Sequence, residues 1–165
     1  MALLTPGLLQ DWKIVIIGDG ELKCPLQNLI ADRGLSENFE LKPFVPYEEM
    51  PQFYAESDLL ILPSIYDPNP LSVVDALHCG LPIALPSEAG NVDEAVSDGK
   101  NGWVLPVNNK ELFSKTLEKV FSMSRERLCE MGRWSIEHNA KFWDTERTIS
   151  KFLDEIVGPR GSKDE

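Results

Sequence analysis

Apolar residues along the chain follow two alternating patterns. Short unbroken runs, "IVII" at 14–17 and "LLIL" at 59–62, have the length and branching of strands covered on both faces, and the stretches between them carry apolar residues at helical spacing. Strand, helix and strand in succession, with no internal repeat, is the order of a parallel sheet covered by helices, so the fold class is α/β. Lys13–Ile17 reads as a strand ending in "GDG", and Leu22–Arg33 as the helix after it. Pro25 falls in that helix's first turn, where a missing N–H is tolerated, and Gly34 stops it. Phe39–Phe44 is expected as a strand, Met50–Glu56 as a short helix and Asp58–Leu62 as the next strand.

Asp67–Pro70 is too rich in proline to be regular. In Leu71–Cys79, the residues Leu71, Val73, Val74, Ala76 and Leu77 wrap most of a helical surface, which predicts a largely buried helix ended by Gly80 and Pro82. Pro82–Leu85 and Trp103–Leu105 read as strands, with a short helix over Val92–Val96 and a glycine-rich turn, "SDGKNG", between them. Asn108 with Glu111 has the spacing of a capping box opening a helix to Phe121. Two more helices are expected over Ser124–Ala140 and Asp144–Val157, the second with Ile149, Phe152, Leu153 and Ile156 on one face. "GPRGSKDE" reads as a disordered tail, giving one domain over 1–157 and a tail over 158–165.

Composition narrows the function. With 165 residues the chain is sized for a single core, and neither apolar run is long enough to span a bilayer. "MALLTPGLLQDWK" has no basic start and no cleavage pattern, so the cytoplasm is the expected compartment. A net charge of −11 without a basic cluster speaks against nucleic acid as a partner. Cys24, Cys79 and Cys129 lie in no Cys-x-x-Cys arrangement and fit free thiols, buried or incidental, in a reducing compartment. His78 and His138 have no second histidine at ligand spacing, so no metal site is expected.

Asp67 and Asp75 stand eight positions apart, one before a proline-broken loop and one inside an apolar run. An aspartate before proline is a common turn starter. An acid in an apolar helix is solvated, bonded to a nearby hydroxyl, or engaged by a ligand, because a buried carboxylate without partners is costly. "GDG" at 18–20 fails as a dinucleotide fingerprint, since Lys23 stands where a third glycine is required, so a tight strand-to-helix turn is its plainer reading and nicotinamide binding is disfavoured.

Taken together, "IVIIGDGELKCPLQNLI", "FVPYEEMPQFYAESDLLILPSIYD" and "LSVVDALHCGLPIALPSEAGNVDEAVSDGKNGWVLP" resemble the C-terminal, nucleotide-sugar-binding domain of retaining glycosyltransferases of the glycogen-synthase and sucrose-synthase-like group, from about Trp12 to Ile156. These have the two-domain GT-B architecture, so the resemblance implies a Rossmann-like doubly wound parallel sheet. Asp67 and Asp75 stand where that family has two glutamates. By resemblance, Asp67 lies beside the transferred sugar in the catalytic position, and Asp75 accepts hydrogen bonds from the ribose hydroxyls. Asn69, Pro70 and Leu71 then face the pyrophosphate at a helix N-terminus, Val45 or Phe44 packs on the base, and Gly18 and Gly90 border the donor. Burial in the core is the competing expectation for Phe44, and a simple turn is the competing one for Gly90.

The sequence also departs from the family. Both acids are one methylene shorter, a loss of roughly 1.5 Å of reach, and Pro68 and Pro70 remove backbone N–H groups from the loop. Nothing before Trp12 matches the family's opening strand or the Arg and Lys that follow it. The sheet order 3-2-1-4-5-6 is therefore expected without its first strand, as an abridged 3-2-4-5-6 in which Lys13–Ile17 pairs directly with Asp58–Leu62 and Met1–Gln10 packs as a helix on one face. A strand borrowed from another chain is the rival. The implied function is the donor-binding half of a hexosyltransferase using a nucleoside diphosphate sugar, with no cofactor and no metal. It is expected to be inactive alone and to need an N-terminal acceptor domain or a separate acceptor subunit. The alternative is a non-catalytic Rossmann-like binding module derived from that domain.

Overall fold

The computed structural model describes residues 4–139 and 149–150. In chain order the elements are β1 (Ile14–Ile17), α1 (Lys23–Asp32), β2 (Phe39–Lys42), a 3-10 turn at Tyr47–Glu49 running into α2 (Met50–Ala55), β3 (Leu60–Ile61), α3 (Leu71–His78), β4 (Ile83–Pro86), α4 (Val92–Ala95), β5 (Gly102–Leu105), α5 (Lys110–Phe121) and α6 (Arg125–Asn139). The helix expected over Asp144–Val157 lies outside the described residues except for 149–150, which are helical, and the tail lies outside them altogether.

Local chemistry explains the boundaries. Past the ends of α1 and α3 the chain turns left-handed at Gly34 (φ +65°) and Gly80 (φ +77°), conformations that a Cβ disfavours. The N-cap of α5 is Asn109, one residue later than the expected capping box. Its Oδ1 accepts from the Leu112 N–H at 3.1 Å, and Asn108 instead donates its side-chain amide to the Glu88 carboxylate. α3 is half-buried rather than largely buried: Val73, Ala76 and Leu77 face the core, and Leu71 is 68% exposed.

All strand pairs are parallel, but they form two sheets, β1–β2 and β3–β4–β5. The direct pairing expected between the first strand and the third does not occur; Ile16 and Leu60 lie in different sheets. That expectation assumed that both edges would be buried and would need a protein partner. β1 is at most half-buried, with Val15 41% exposed, so water can reach the backbone there. β1 and β3 each have a strand partner on one side only, within their own sheets.

The N-terminal segment packs on one face as expected, but as turns, not a helix. Leu8 and Leu9 N–H both donate to the Thr5 carbonyl, at 3.1 and 3.2 Å, and the chain then leaves helical geometry. Pro6 and Gly7, both poor helix-interior residues, account for this. Leu9 is fully buried, the Asn38 amide donates to the Leu9 and Trp12 carbonyls, and the Trp12 indole N–H donates to the Phe121 carbonyl at 2.9 Å with the rings edge-on.

β4 divides the core into two layers. Ala84 faces Leu9, Trp103, Leu105, Leu117, Phe121 and Met131, and Ile83 and Leu85 face Tyr54, Val73, Leu77 and Ala95. Every residue of β4 is buried, as alternation requires of a strand covered on both sides. α3 and α6 meet closely: a Cβ on Gly132 would lie 2.0 Å from the Gly80 carbonyl oxygen, and Ser135 Oγ donates to the Leu81 carbonyl at 3.0 Å. This crossing fixes the helix that carries Asp75.

Candidate functional site

In parallel sheets ligands bind beyond the carboxyl ends of the strands. The segments after β1, β2, β3 and β4 here contain every residue expected at the site: Gly18, Val45, Asp67 to Asp75 and Gly90.

The loop after β3 is held by its own backbone. Asp67 pairs in parallel with Ala89, and its carbonyl accepts the Gly90 N–H at 2.9 Å. A Cβ at Gly90 would fall 1.9 Å from the Pro68 carbonyl oxygen, so glycine is required for this approach. Gly90 thus does lie at the Asp67 loop, but its N–H is engaged by Asp67 and is not free for a ligand. The Asp67 carboxylate behaves as a turn starter: Oδ1 accepts the Asn69 N–H at 3.2 Å, leaving Oδ2. Pro70 is buried and stands at the N-cap of α3, offering neither an N–H nor a capping side chain. The next donors, the Leu71 and Ser72 amides, have no intrahelical acceptor by the geometry of a helix start.

One turn further on, Asp75 follows Leu71 along the outer stripe of α3 and Cys79 stands at its C-cap, with Asp75 half-buried. The Tyr47 hydroxyl donates to Asp75 Oδ1 at 3.2 Å. This is the hydroxyl contact that an acid in an apolar helix calls for, supplied from 28 residues away. The groups around Asp75 are shifted toward their protonated forms. The Tyr47 phenol is raised above its ordinary value, first by this hydrogen bond and then by the charge itself. Tyr54 is pushed up to about 12 by burial and then by Asp75, and Cys79 is raised by the same two causes in the same order.

On the neighbouring sheet, Gly18 is exposed at φ +139° and its N–H donates to the Lys42 carbonyl at 3.2 Å. Asp19 is paired with Lys23 at 2.6 Å, and the Lys23 hydrogen bond holds its carboxyl below the ordinary range, with help from the Phe44 backbone. Val45 is half-buried. Phe44 is not in the core, as had been expected, but 74% exposed, because β2 ends at Lys42 and leaves Phe44 beyond the sheet.

Asp67, Asn69, Pro70, Leu71 and Gly90 therefore share one loop assembly, and Asp75 is linked to the segment after β2 through Tyr47. Among the described residues neither Asp67 nor Asp75 has an ion-pair partner, and no cluster of three or more His, Cys, Asp or Glu could hold a metal. No helix among them is long and apolar enough to cross a membrane. All three cysteines are exposed free thiols, so the buried alternative falls. Two residues escaped the sequence reading. Tyr47 carries no local signal that ties it to position 75, and Asn91 is 4% exposed with both polar side-chain atoms unpaired, beside Gly90.

Comparison with known proteins identifies the family and the fold. The amylovoran biosynthesis glycosyltransferase AmsK of Erwinia amylovora is 29% identical over 112 residues, 64% of this chain and 27% of its own length. The D-inositol 3-phosphate glycosyltransferase of Paenarthrobacter aurescens is 26% identical over 143 residues, 85% of this chain and 35% of its own length. The chain thus spans about a third or less of these relatives. Among solved structures, a mutant of S. aureus TarM in complex with fondaparinux, alpha-GlcNAc-glycerol and UDP matches 93% of this chain and 30% of its own with a TM-score of 0.79 at 21% identity. Anabaena HepE in complex with UDP-glucose matches 93% of this chain and 47% of its own with a TM-score of 0.70 at 19% identity. At such identities the likeness is one of fold, that of a GT-B half-domain. The model of the family described as glycosyl transferases group 1 matches residues 1–134, and the chain belongs to that family.

Proposed function

We propose that the chain is the donor-binding half of a hexosyltransferase that takes its sugar from a nucleoside diphosphate and transfers it with retained anomeric configuration. The observation that carries this reading is the placement of the Asp67 loop and of Asp75 together beyond the carboxyl ends of the parallel strands. The ribose sits on Asp75, whose carboxylate can accept two hydroxyls. The diphosphate lies over Asn69, Pro70 and Leu71, where the Leu71 and Ser72 amides and the start of α3 favour negative charge. Asp67 uses Oδ2 to position the sugar or to steady its developing positive charge, Val45 packs near the base, and Gly18 and Gly90 shape the borders. The reaction needs no metal. The acceptor and any general base come from an N-terminal acceptor domain or a separate subunit, in the cytoplasm, and this chain alone transfers nothing.

A second reading, a non-catalytic binding module, is favoured by Pro68 and Pro70, which remove two amides from the loop that would face the diphosphate. Departure of a diphosphate draws much of its help from fixed positive charge.

Calorimetric titration of UDP and GDP into the wild type and Asp75→Ala tests the site. Loss of a charged hydrogen-bonding partner weakens affinity by about 1.5–3 kcal/mol; equal affinities would remove Asp75 from the site. Nucleoside diphosphate release from sugar nucleotides should be absent over hours. Release abolished by Asp67→Asn would show that the chain is catalytic by itself.

A further inference from the structure

We infer that Tyr47 and Asp75 act as one unit that reads the nucleotide's ribose, with Asp75 taking one hydroxyl of the diol and Tyr47 Oη taking the other. This rests on the nucleotide-site reading above and adds a specificity-determining residue to it.

Three observations meet at this pair. Asp75 is a short, half-buried acid on α3, so its carboxylate alone reaches little beyond the helix. The Tyr47 hydroxyl stands 3.2 Å from Asp75 Oδ1, so the polar group extends outward by one further oxygen. Its single proton is donated to the carboxylate, which leaves the phenolic oxygen with acceptor capacity only. A ribose hydroxyl can donate to that oxygen while its neighbour donates to Asp75 Oδ2, without breaking the existing bond. The raised phenol of Tyr47 has the matching sense, since the pair holds its proton more firmly.

The groups facing the pair from packed elements leave this division of labour intact. Tyr54 on α2 and Cys79 at the C-cap of α3 both have raised pKa values, from local desolvation and from the Asp75 charge, so neither brings a competing charge. Tyr47 is 67% exposed, on the first turn after β2 and next to the exposed Phe44, so its hydroxyl is open to a ligand.

The test uses the full chain, titrated with UDP, 2′-deoxy-UDP and 3′-deoxy-UDP, as wild type, Tyr47→Phe, Asp75→Ala, and Tyr47→Phe with Asp75→Glu. Wild type should prefer UDP over both deoxy compounds by about tenfold each, the size of one hydrogen bond to a charged or charge-linked group. Tyr47→Phe should lose the preference against one deoxy compound and keep it against the other, and the longer acid of Asp75→Glu should bring the lost preference back. A Tyr47→Phe protein that keeps both preferences overturns the unit while leaving Asp75 as the ribose site. A wild type that binds none of the three overturns the nucleotide site and the unit with it. Independently of any ligand, ultraviolet titration should show one phenol shifted down in Asp75→Asn and missing in Tyr47→Phe; an unchanged curve in Asp75→Asn would show that the contact is not made in solution.

Discussion

The two sheets are built from the same kind of sequence and end in different states. β4, in the three-stranded sheet, is buried throughout, with α3 on one side and the α5 and α6 layer on the other, whereas β1, in the two-stranded sheet, has Val15 41% exposed and no residue fully buried. "IALP" and "IVII" do not differ enough in hydrophobicity to explain this. The difference lies in neighbours: β4 has a hydrogen-bonded strand on each side, and β1 has one. A strand is made central by what flanks it, and the rigid acid-bearing loop sits on the sheet that has its flanks.

The sharpest way to break the comparison is to truncate one large side chain in each sheet. Trp103→Ala in β5, where the ring is 2% exposed, should cost ~3–5 kcal/mol in urea unfolding. Val15→Ala in β1 should cost less than about 1 kcal/mol. Similar costs would mean that β1 is as well packed in solution as β5. Next in size is Gly132→Ala, where the new methyl meets the Gly80 carbonyl. We expect a loss of ~1–3 kcal/mol by thermal or urea unfolding, as the crossing of α3 and α6 opens.

A smaller effect separates the layers by pH. Tyr54 in the folded chain is raised to about 12 from an ordinary 10.0, so it favours the folded state fully below pH 10. That contribution is lost as pH rises from about 10 through about 12, because the unfolded chain ionises first. Urea midpoints should therefore fall across this window, and more shallowly in Tyr54→Phe. Smallest, and confined to the two-stranded sheet, is an alternation in hydrogen exchange. Ile14 and Gly18 N–H donate toward β2, which turns the Val15 and Ile17 amides to the other edge. Val15 and Ile17 should exchange faster than Ile14 and Ile16; uniform protection would show that the edge is covered.

Much of this was legible in the sequence because it depends on local periodicity and punctuation. The runs at 14–17 and 59–62, Gly34, Gly80 and the proline after it placed the strands, the helices and the Asp67–Asp75 frame to within a residue or two. What escaped depends on distant parts of the chain. Whether β1 and β3 pair is set by how distant parts of the chain come together, which no window of sequence contains. Phe44 looks like core by composition and lies outside because β2 stops two residues before it. Tyr47 meets Asp75 across 28 positions, so nothing near either residue announces the other. The N-cap of α5 moved from Asn108 to Asn109 because two adjacent asparagines offer the same chemistry and only backbone geometry chooses between them.

The edges of β1 and β3 that pair with no described strand also bear on how the chain behaves in concentrated solution. Backbone groups on an uncovered strand edge are a template for pairing with another molecule. The chain carries −11 charges, and mutual repulsion at low ionic strength keeps such edges apart. Salt removes that protection: at about 0.15 M the repulsion reaches only roughly 8 Å, and at 1 M roughly 3 Å. Acidity here thus acts as a colloidal guard over open strand edges, one that weakens as buffer concentration rises.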